Sequence, residues 1–301
     1  MPCSNSLRRA RPLLGTIVEI EVRGLDEWDG NRAADAAFEA VAQVQRCMSF
    51  HDPESTLSRL NRRAPGEAVR VDAWTFEVLE MAADLHRVSR GVFDVTVAPH
   101  LQSLGFLPPR DSARPRAEDA SFADVELLPN QRVRFLRAGV CIDLGGIAKG
   151  FAVDQAVAAL RNAGAPGGLV NAGGDLRVFG DATFPIAIRH PDAPGAALGT
   201  VALQNAALAT SAHYFAERLV PASELGPIID PLSRQQASAT RSATVRARSA
   251  MLADALTKIA MISGQDALPV LTHFGADAIL VAKSGEAMCS DALHAAFEFS
   301  P

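Results

Sequence analysis

The 301-residue chain has only four cysteines, at positions 3, 47, 141 and 289, and no Cys-x-x-Cys pair. That spacing excludes a zinc knuckle and a thioredoxin motif and favours reduced thiols. No stretch approaches the roughly 20 apolar residues of a membrane-spanning helix. The apolar run behind Arg8, Arg9 and Arg11 is broken by Gly15, Thr16 and Glu19, so it makes a poor secretion leader. The expectation is a cytoplasmic protein without a membrane span. A basic surplus is missing as well. The net charge is -5 and the 29 lysines and arginines are scattered, which argues against a nucleic-acid partner. There is no His-x-x-x-His pair, P-loop, G-x-G-x-x-G fingerprint, nucleophile elbow or short internal repeat.

With 48% hydrophobic and 21% charged residues, the chain can bury one large core or two modest ones. Val18 to Val22 alternates as a half-buried strand, and Phe38, Val41, Val44 and Met48 form a helical stripe within Arg32 to Met48. Asp72 reads as the cap of a second helix that stops at Gly91. Phe93, Asp94 and Thr96 read as a strand after it. The proline-rich stretch 107–121 reads as an exposed excursion or linker. Strands are expected at Gln131 to Leu136 and Val140 to Leu144, followed by a glycine turn that opens a helix from Ile147 to Asn162. Five strands between Leu169 and Thr210, a loop from Pro221 to Ala239, a strand from Ser242 to Ala247, a helix capped by Ser249 and a strand from Asp277 complete the chain. Strands in runs, without a βαβ rhythm, favour an α+β fold.

The strongest chemical signal is Asp143-Leu144-Gly145-Gly146-Ile147-Ala148-Lys149-Gly150. Paired glycines, a helix N-terminus and a lysine suit a phosphate; the alternative is a tight turn with a solvated lysine. Asn171 to Asp175 reads as a glycine hairpin. Asp254 and Lys258 share a helix face with Met251 and Ala255, so the pair is either a surface ion pair or a partly buried one.

In order along the chain, Leu14-Gly15-Thr16, Met48 to Asn61, Phe93 to Pro99, Asp143 to Gly150, Asn171 to Leu176, Ala209-Thr210-Ser211, Ile228 to Pro231 and Ala253 to Leu256 resemble the FAD:protein FMN transferases, the ApbE-like family. The resemblance implies a single α+β domain of mixed or antiparallel sheets with packed helices in two halves, and FAD in a cleft between them. It implies Mg²⁺-dependent transfer of FMN from FAD to a threonine or serine of an acceptor flavoprotein, with release of AMP; some relatives instead hydrolyse FAD. By position, Leu14, His51, Phe93, Asp94, Asp143, Lys149 and Ile229 would line the FAD site. The Gly146 carbonyl and Asp254 would be metal ligands.

The chain departs from the pattern at telling places. Lys258 stands where the family has a threonine metal ligand, with Thr257 one position early, and a charged ammonium cannot ligate a metal. The expectation is that Lys258 acts as a tethered cation in the magnesium site. Pro227 replaces a catalytic histidine of the family, and His213 is the candidate substitute proton acceptor, with a changed loop as the alternative. His51 replaces a tyrosine and Leu104 a tryptophan. Two readings follow: a transferase with an altered metal site, or a relative that binds or hydrolyses FAD without transferring FMN.

Overall fold

The computed structural model describes residues 6–63, 65–109, 115–193, 195–213 and 226–299. Its strands are β1 (Ser6–Leu13), β2 (Thr16–Arg23), β3 (Ala68–Arg70), β4 (Val125–Leu128), β5 (Arg132–Phe135), β6 (Gly167–Ala172), β7 (Asp175–Phe179) and β8 (Phe184–Arg189), then β9 (Ala197–Leu203), β10 (Ala207–Ala212), β11 (Ile229–Asp230), β12 (Gln235–Gln236), β13 (Thr240–Ala247), β14 (Asp277–Ala282), β15 (Ala287–Cys289) and β16 (Phe297–Phe299). The helices are α1 (Glu27–Met48), α2 (Thr56–Asn61), α3 (Ala73–Val88), α4 (Ala98–Ser103), α5 (Ala148–Asn162), α6 (Ala250–Ser263), α7 (Leu268–His273) and α8 (Asp291–His294).

An eight-stranded sheet in the order β1-β2-β6-β7-β10-β13-β14-β15 forms the centre, and every neighbouring pair is antiparallel. Alternation along its strands assigns two cores. Val18, Ile20, Val170, Ala207, Ala209, Ala243 and Val245 meet a helix layer that includes α1, α5 and α6. Leu176, Val178, Leu208 and Ile279 face the other way and pack on the small sheet β16-β9-β8 through Phe184, Ile188 and Val201. The fold is therefore α+β, with the long helices on one face of an antiparallel sheet. No helix among the described residues is long and apolar enough to cross a membrane.

Capping chemistry sets the helix ends. α1 begins earlier than its apolar stripe because the Asp26 carboxylate accepts from the Asp29 N–H at 2.8 Å. α3 starts at its Asp72 cap, which accepts from Thr75 at 2.9 Å. α6 is capped by Ser249 and ends at Gly264, whose φ is +57°.

Two expected strands are absent. Phe93 to Thr96 is no strand, because Asp94 caps a single 3₁₀ turn, Val95–Val97, by accepting from the Thr96 N–H at 2.8 Å. Val140 to Leu144 joins no sheet, because the Asn61 side chain meets both polar groups of Ile142, at 2.8 and 2.9 Å, in place of a neighbouring strand. In the 107–121 excursion, residues 110–114 lie outside the described residues, while Ala117 is buried. The expected 221–239 loop is described only from residue 226 and contains the β11–β12 hairpin.

Candidate active site at one end of the sheet

Two hairpin tips and one helix start converge at the same sheet end. β1 and β2 are joined by Leu14 and Gly15, both with positive φ, and β6 and β7 by Gly173 and Gly174. Register fixes the neighbourhood, since Val18 pairs with Ala172 and Leu208 with Leu176. Gly173 is required twice over: its φ is +66°, and a Cβ there would stand 2.5 Å from Thr16 Oγ1. Leu14 holds φ +55°, an uncommon conformation for a branched side chain, and its N–H donates to Gln45 on α1 at 2.7 Å.

Behind these tips lies a quartet of charges. Lys149, second residue of α5, donates to Asp175, first residue of β7. Lys258 donates to Asp254 one turn earlier on α6. Both carboxylates are almost fully shielded, with side-chain exposures of 3% for Asp175 and 0% for Asp254, whereas Lys258 keeps 17% and Lys149 36%. Burial disfavours each charge, and the opposite charges answer it. Desolvation would lift the Asp254 pKa, but Lys258 and Lys149 hold it below the usual carboxylate range. Desolvation and the neighbouring Asp254 raise that of Asp175 against both lysines. Lys149, penalised by burial, is still raised by Asp175 and Asp254. The quartet thus pairs each lysine with one buried carboxylate.

The helices carrying it touch through Gly150. A Cβ on Gly150 would lie 2.1 Å from the Ala250 carbonyl oxygen and 2.8 Å from Asp254 Cβ, so only glycine lets α5 and α6 approach this closely. The Gly150 N–H donates to Asp254 Oδ2 at 3.0 Å. A second tie is Asp154 on α5, which accepts from the Ala250 and Met251 N–H groups at 3.0 and 2.8 Å and from Arg177 of β7 at 2.6 Å. Beside Asp254, Thr257 Oγ1 lies 2.8 Å from Ser211 Oγ and donates to the Asp254 carbonyl at 2.6 Å.

The other expected site residues occupy distinct roles. Asp143 is half-buried at the glycine turn; burial raises its pKa to about 6 against the Gly145 N–H, 3.2 Å away, and the charge of His51. His51 itself is exposed. The Asp143 N–H donates to Val95 at 2.8 Å, which links the turn to Phe93 and Asp94. Asp94 is turned inward: it accepts from Thr96 and, at 2.9 Å, from Phe122, and lies 3.1 Å from His86 Nδ1. Ile229 is buried in the β11–β12 hairpin. His213, just past β10, accepts from the Gly226 N–H at Nδ1, 3.2 Å away, and burial lowers its pKa. Its Nε2 is buried with no hydrogen-bond partner among the described residues.

Sequence reading passed over Asp175, Asn61 and Gly150 as site residues, although each lies in a quoted motif. The usable signal was a carboxylate directly behind a Gly-Gly turn, where β7 enters a buried sheet.

Magnesium does not fit the donors present. Asp254 offers one oxygen to Lys258 and the other to Gly150, and the Lys258 methylenes run past Gly146 at 3.6 Å from the position of a Cβ. Among the described residues no group of three His, Cys, Asp or Glu is placed to hold a metal ion. Mg²⁺ asks for near-octahedral oxygen ligands, and here an ammonium occupies the carboxylate.

Sheet, helix layer and charged quartet define an α+β protein whose polar site sits at the hairpin end of one antiparallel sheet. The ApbE protein of Thermotoga maritima has this fold, superposing with a TM-score of 0.87 at 26% identity over 97% of this chain and 99% of its own. The flavin transferase ApbE of Vibrio cholerae shares the fold, with a TM-score of 0.82 at 22% identity over 97% of this chain and 99% of its own. The chain belongs to the ApbE family, whose sequence model matches residues 14–280. It is 29% identical over 284 residues to an FAD:protein FMN transferase of Rhodobacter capsulatus, covering 89% of this chain and 54% of that protein. Against the one from Haemophilus influenzae it is 29% identical over 245 residues, covering 75% of this chain and 71% of the relative. The chain thus spans about half of the first relative, by the same 54%.

Proposed function

We propose that the protein is an FAD:protein FMN transferase. The observation that carries the reading is the family match over residues 14–280 together with the Lys149–Asp175 and Lys258–Asp254 pairs beside the Asp143–Gly150 turn. In this reading FAD lies along the hairpin end of the sheet, with Leu14, His51, Phe93, Asp94, Asp143 and Ile229 around the flavin and adenine halves and Lys149 near the diphosphate. The acceptor is a flavoprotein with a reactive threonine or serine.

The chemistry is one displacement. The acceptor hydroxyl oxygen bonds to the FMN-side phosphorus, the bond from that phosphorus to the bridging oxygen breaks, AMP leaves with that oxygen, and the hydroxyl proton is lost to a base. Lysines facing the diphosphate stabilise the charge that builds on its oxygens, and a held acceptor supplies the orientation. His213 is the candidate base and Lys258 the candidate electrostatic residue. With Nδ1 accepting from Gly226, the neutral His213 ring carries its proton on Nε2, so that tie must break before Nδ1 takes a proton.

That constraint, with Pro227 at the family histidine position, supports a second reading in which FAD is bound and hydrolysed to FMN and AMP, or merely bound. The experiment is incubation with FAD, with and without an acceptor domain, following AMP. Acceptor-dependent AMP supports transfer. AMP without acceptor supports hydrolysis, and intact FAD supports binding alone.

A further inference from the structure

We infer that the ammonium of Lys258 is a built-in replacement for a divalent cation, so that the protein holds the diphosphate of its nucleotide without metal. The inference rests on the nucleotide-binding part of the proposed function and specifies how the diphosphate is met. Lys258 and Asp254 are one turn apart on α6, and the lysine folds back onto Asp254 Oδ1 while its methylenes pass Gly146. It thereby joins the start of α5 to α6. The ammonium also donates to Thr257 Oγ1 at 3.2 Å. An ammonium has three N–H donors. Asp254 and Thr257 take two, and the third remains, among the described residues, for a ligand on the side chain's exposed 17%.

The pairing points the same way. Lys149 and Lys258 already engage Asp175 and Asp254, so a divalent ion entering beside them finds neither carboxylate free. It would have to displace Lys258 from Asp254, leaving an ammonium without its carboxylate. A diphosphate oxygen needs no such displacement, because the ammonium has a third N–H donor beyond those given to Asp254 and Thr257. An ammonium supplies charge and hydrogen bonds but no Lewis acidity. The difference therefore shows first in binding and in metal response.

The test is FAD binding to the whole protein by titration calorimetry, in millimolar EDTA and in millimolar Mg²⁺, for the unaltered chain and for Lys258→Thr and Lys258→Arg. Direct Mn²⁺ binding by electron paramagnetic resonance is the second readout, and circular dichroism checks that each variant is folded. The expectation for the unaltered chain is an FAD affinity that differs by less than about twofold between the two buffers, and no Mn²⁺ bound at the site. Lys258→Thr uncovers Asp254, so it should lose at least about tenfold in EDTA, regain affinity in Mg²⁺ and bind Mn²⁺. Lys258→Arg should stay insensitive to metal. FAD binding by the unaltered chain only with Mg²⁺ overturns the inference and leaves the proposed function standing. FAD failing to bind in either buffer overturns both.

Discussion

Gly150→Ala is the sharpest structural perturbation of the site. A Cβ at this position would stand 2.1 Å from the Ala250 carbonyl oxygen, 2.5 Å from its carbon and 2.8 Å from Asp254 Cβ, and two of those three atoms belong to backbone that cannot rotate away. The helices must separate. Forcing a methyl into a packed contact costs about 1–3 kcal/mol. Separation also lengthens the 3.0 Å bond from the Gly150 N–H to Asp254, and a hydrogen bond to a charged group is worth about 1.5–3 kcal/mol. Together that is about 2.5–6 kcal/mol, a large share of the about 5–15 kcal/mol that holds a domain folded. With a urea slope near 3 kcal/mol per molar, the unfolding midpoint should fall by about 1–2 M. The assay is urea unfolding followed by circular dichroism, with FAD binding measured on the folded variant. Affinity should fall as well, because Asp254 and its lysine move together. A midpoint and an affinity both unchanged would refute the close helix contact and the role given to it.

Other perturbations follow from the same contacts. Asn61→Ala leaves both backbone groups of Ile142 without their partner and should cost about 2–4 kcal/mol in urea unfolding; a loss below about 0.5 kcal/mol would remove Asn61 as the support of the glycine turn. For His86, the hydrogen bond to Asp94 outweighs burial and raises the folded pKa above the ordinary 6.5. Its contribution is complete below that value and is lost as pH rises through the folded pKa, so the stability gap between the unaltered protein and His86→Gln should shrink with rising pH; a gap that widens contradicts the pairing. For Asp143, burial raises the folded pKa from 3.8 to about 6. Relative to Asp143→Asn the protein should therefore lose stability as pH climbs from 3.8 to about 6 and change little above, in urea midpoints taken across that range.

Much of the fold was legible wherever local signals agreed. The Asp72 and Ser249 caps, the stripe Phe38-Val41-Val44-Met48 and the alternation of Val18 to Val22 each describe an element whose partner is simply the core. Asp254 and Lys258 were legible as a face-sharing pair for the same local reason. What escaped was decided across distance in the chain. Residues 140–144 have the composition of a strand, but Asn61 supplies their hydrogen bonds from the end of α2. Asp94 stands in an apolar run that reads as a strand, yet its carboxylate draws the chain into a turn and reaches Phe122. β1, with Arg8, Arg9 and Arg11, carries little hydrophobic signal; it is an edge strand of the sheet, and its arginines pair with Glu21 and Asp35. Asp175 needed the register of β6 and β7 before its meeting with Lys149 was apparent.

The most direct measurement of the central claim is the intact mass of an acceptor flavoprotein domain after incubation with this protein and FAD in EDTA. The account predicts an acceptor heavier by one FMN less one water, linked through a threonine or serine, with AMP released in equal amount and the same yield when Mg²⁺ replaces the chelator. An acceptor of unchanged mass in both buffers, with FAD bound and intact, would contradict it.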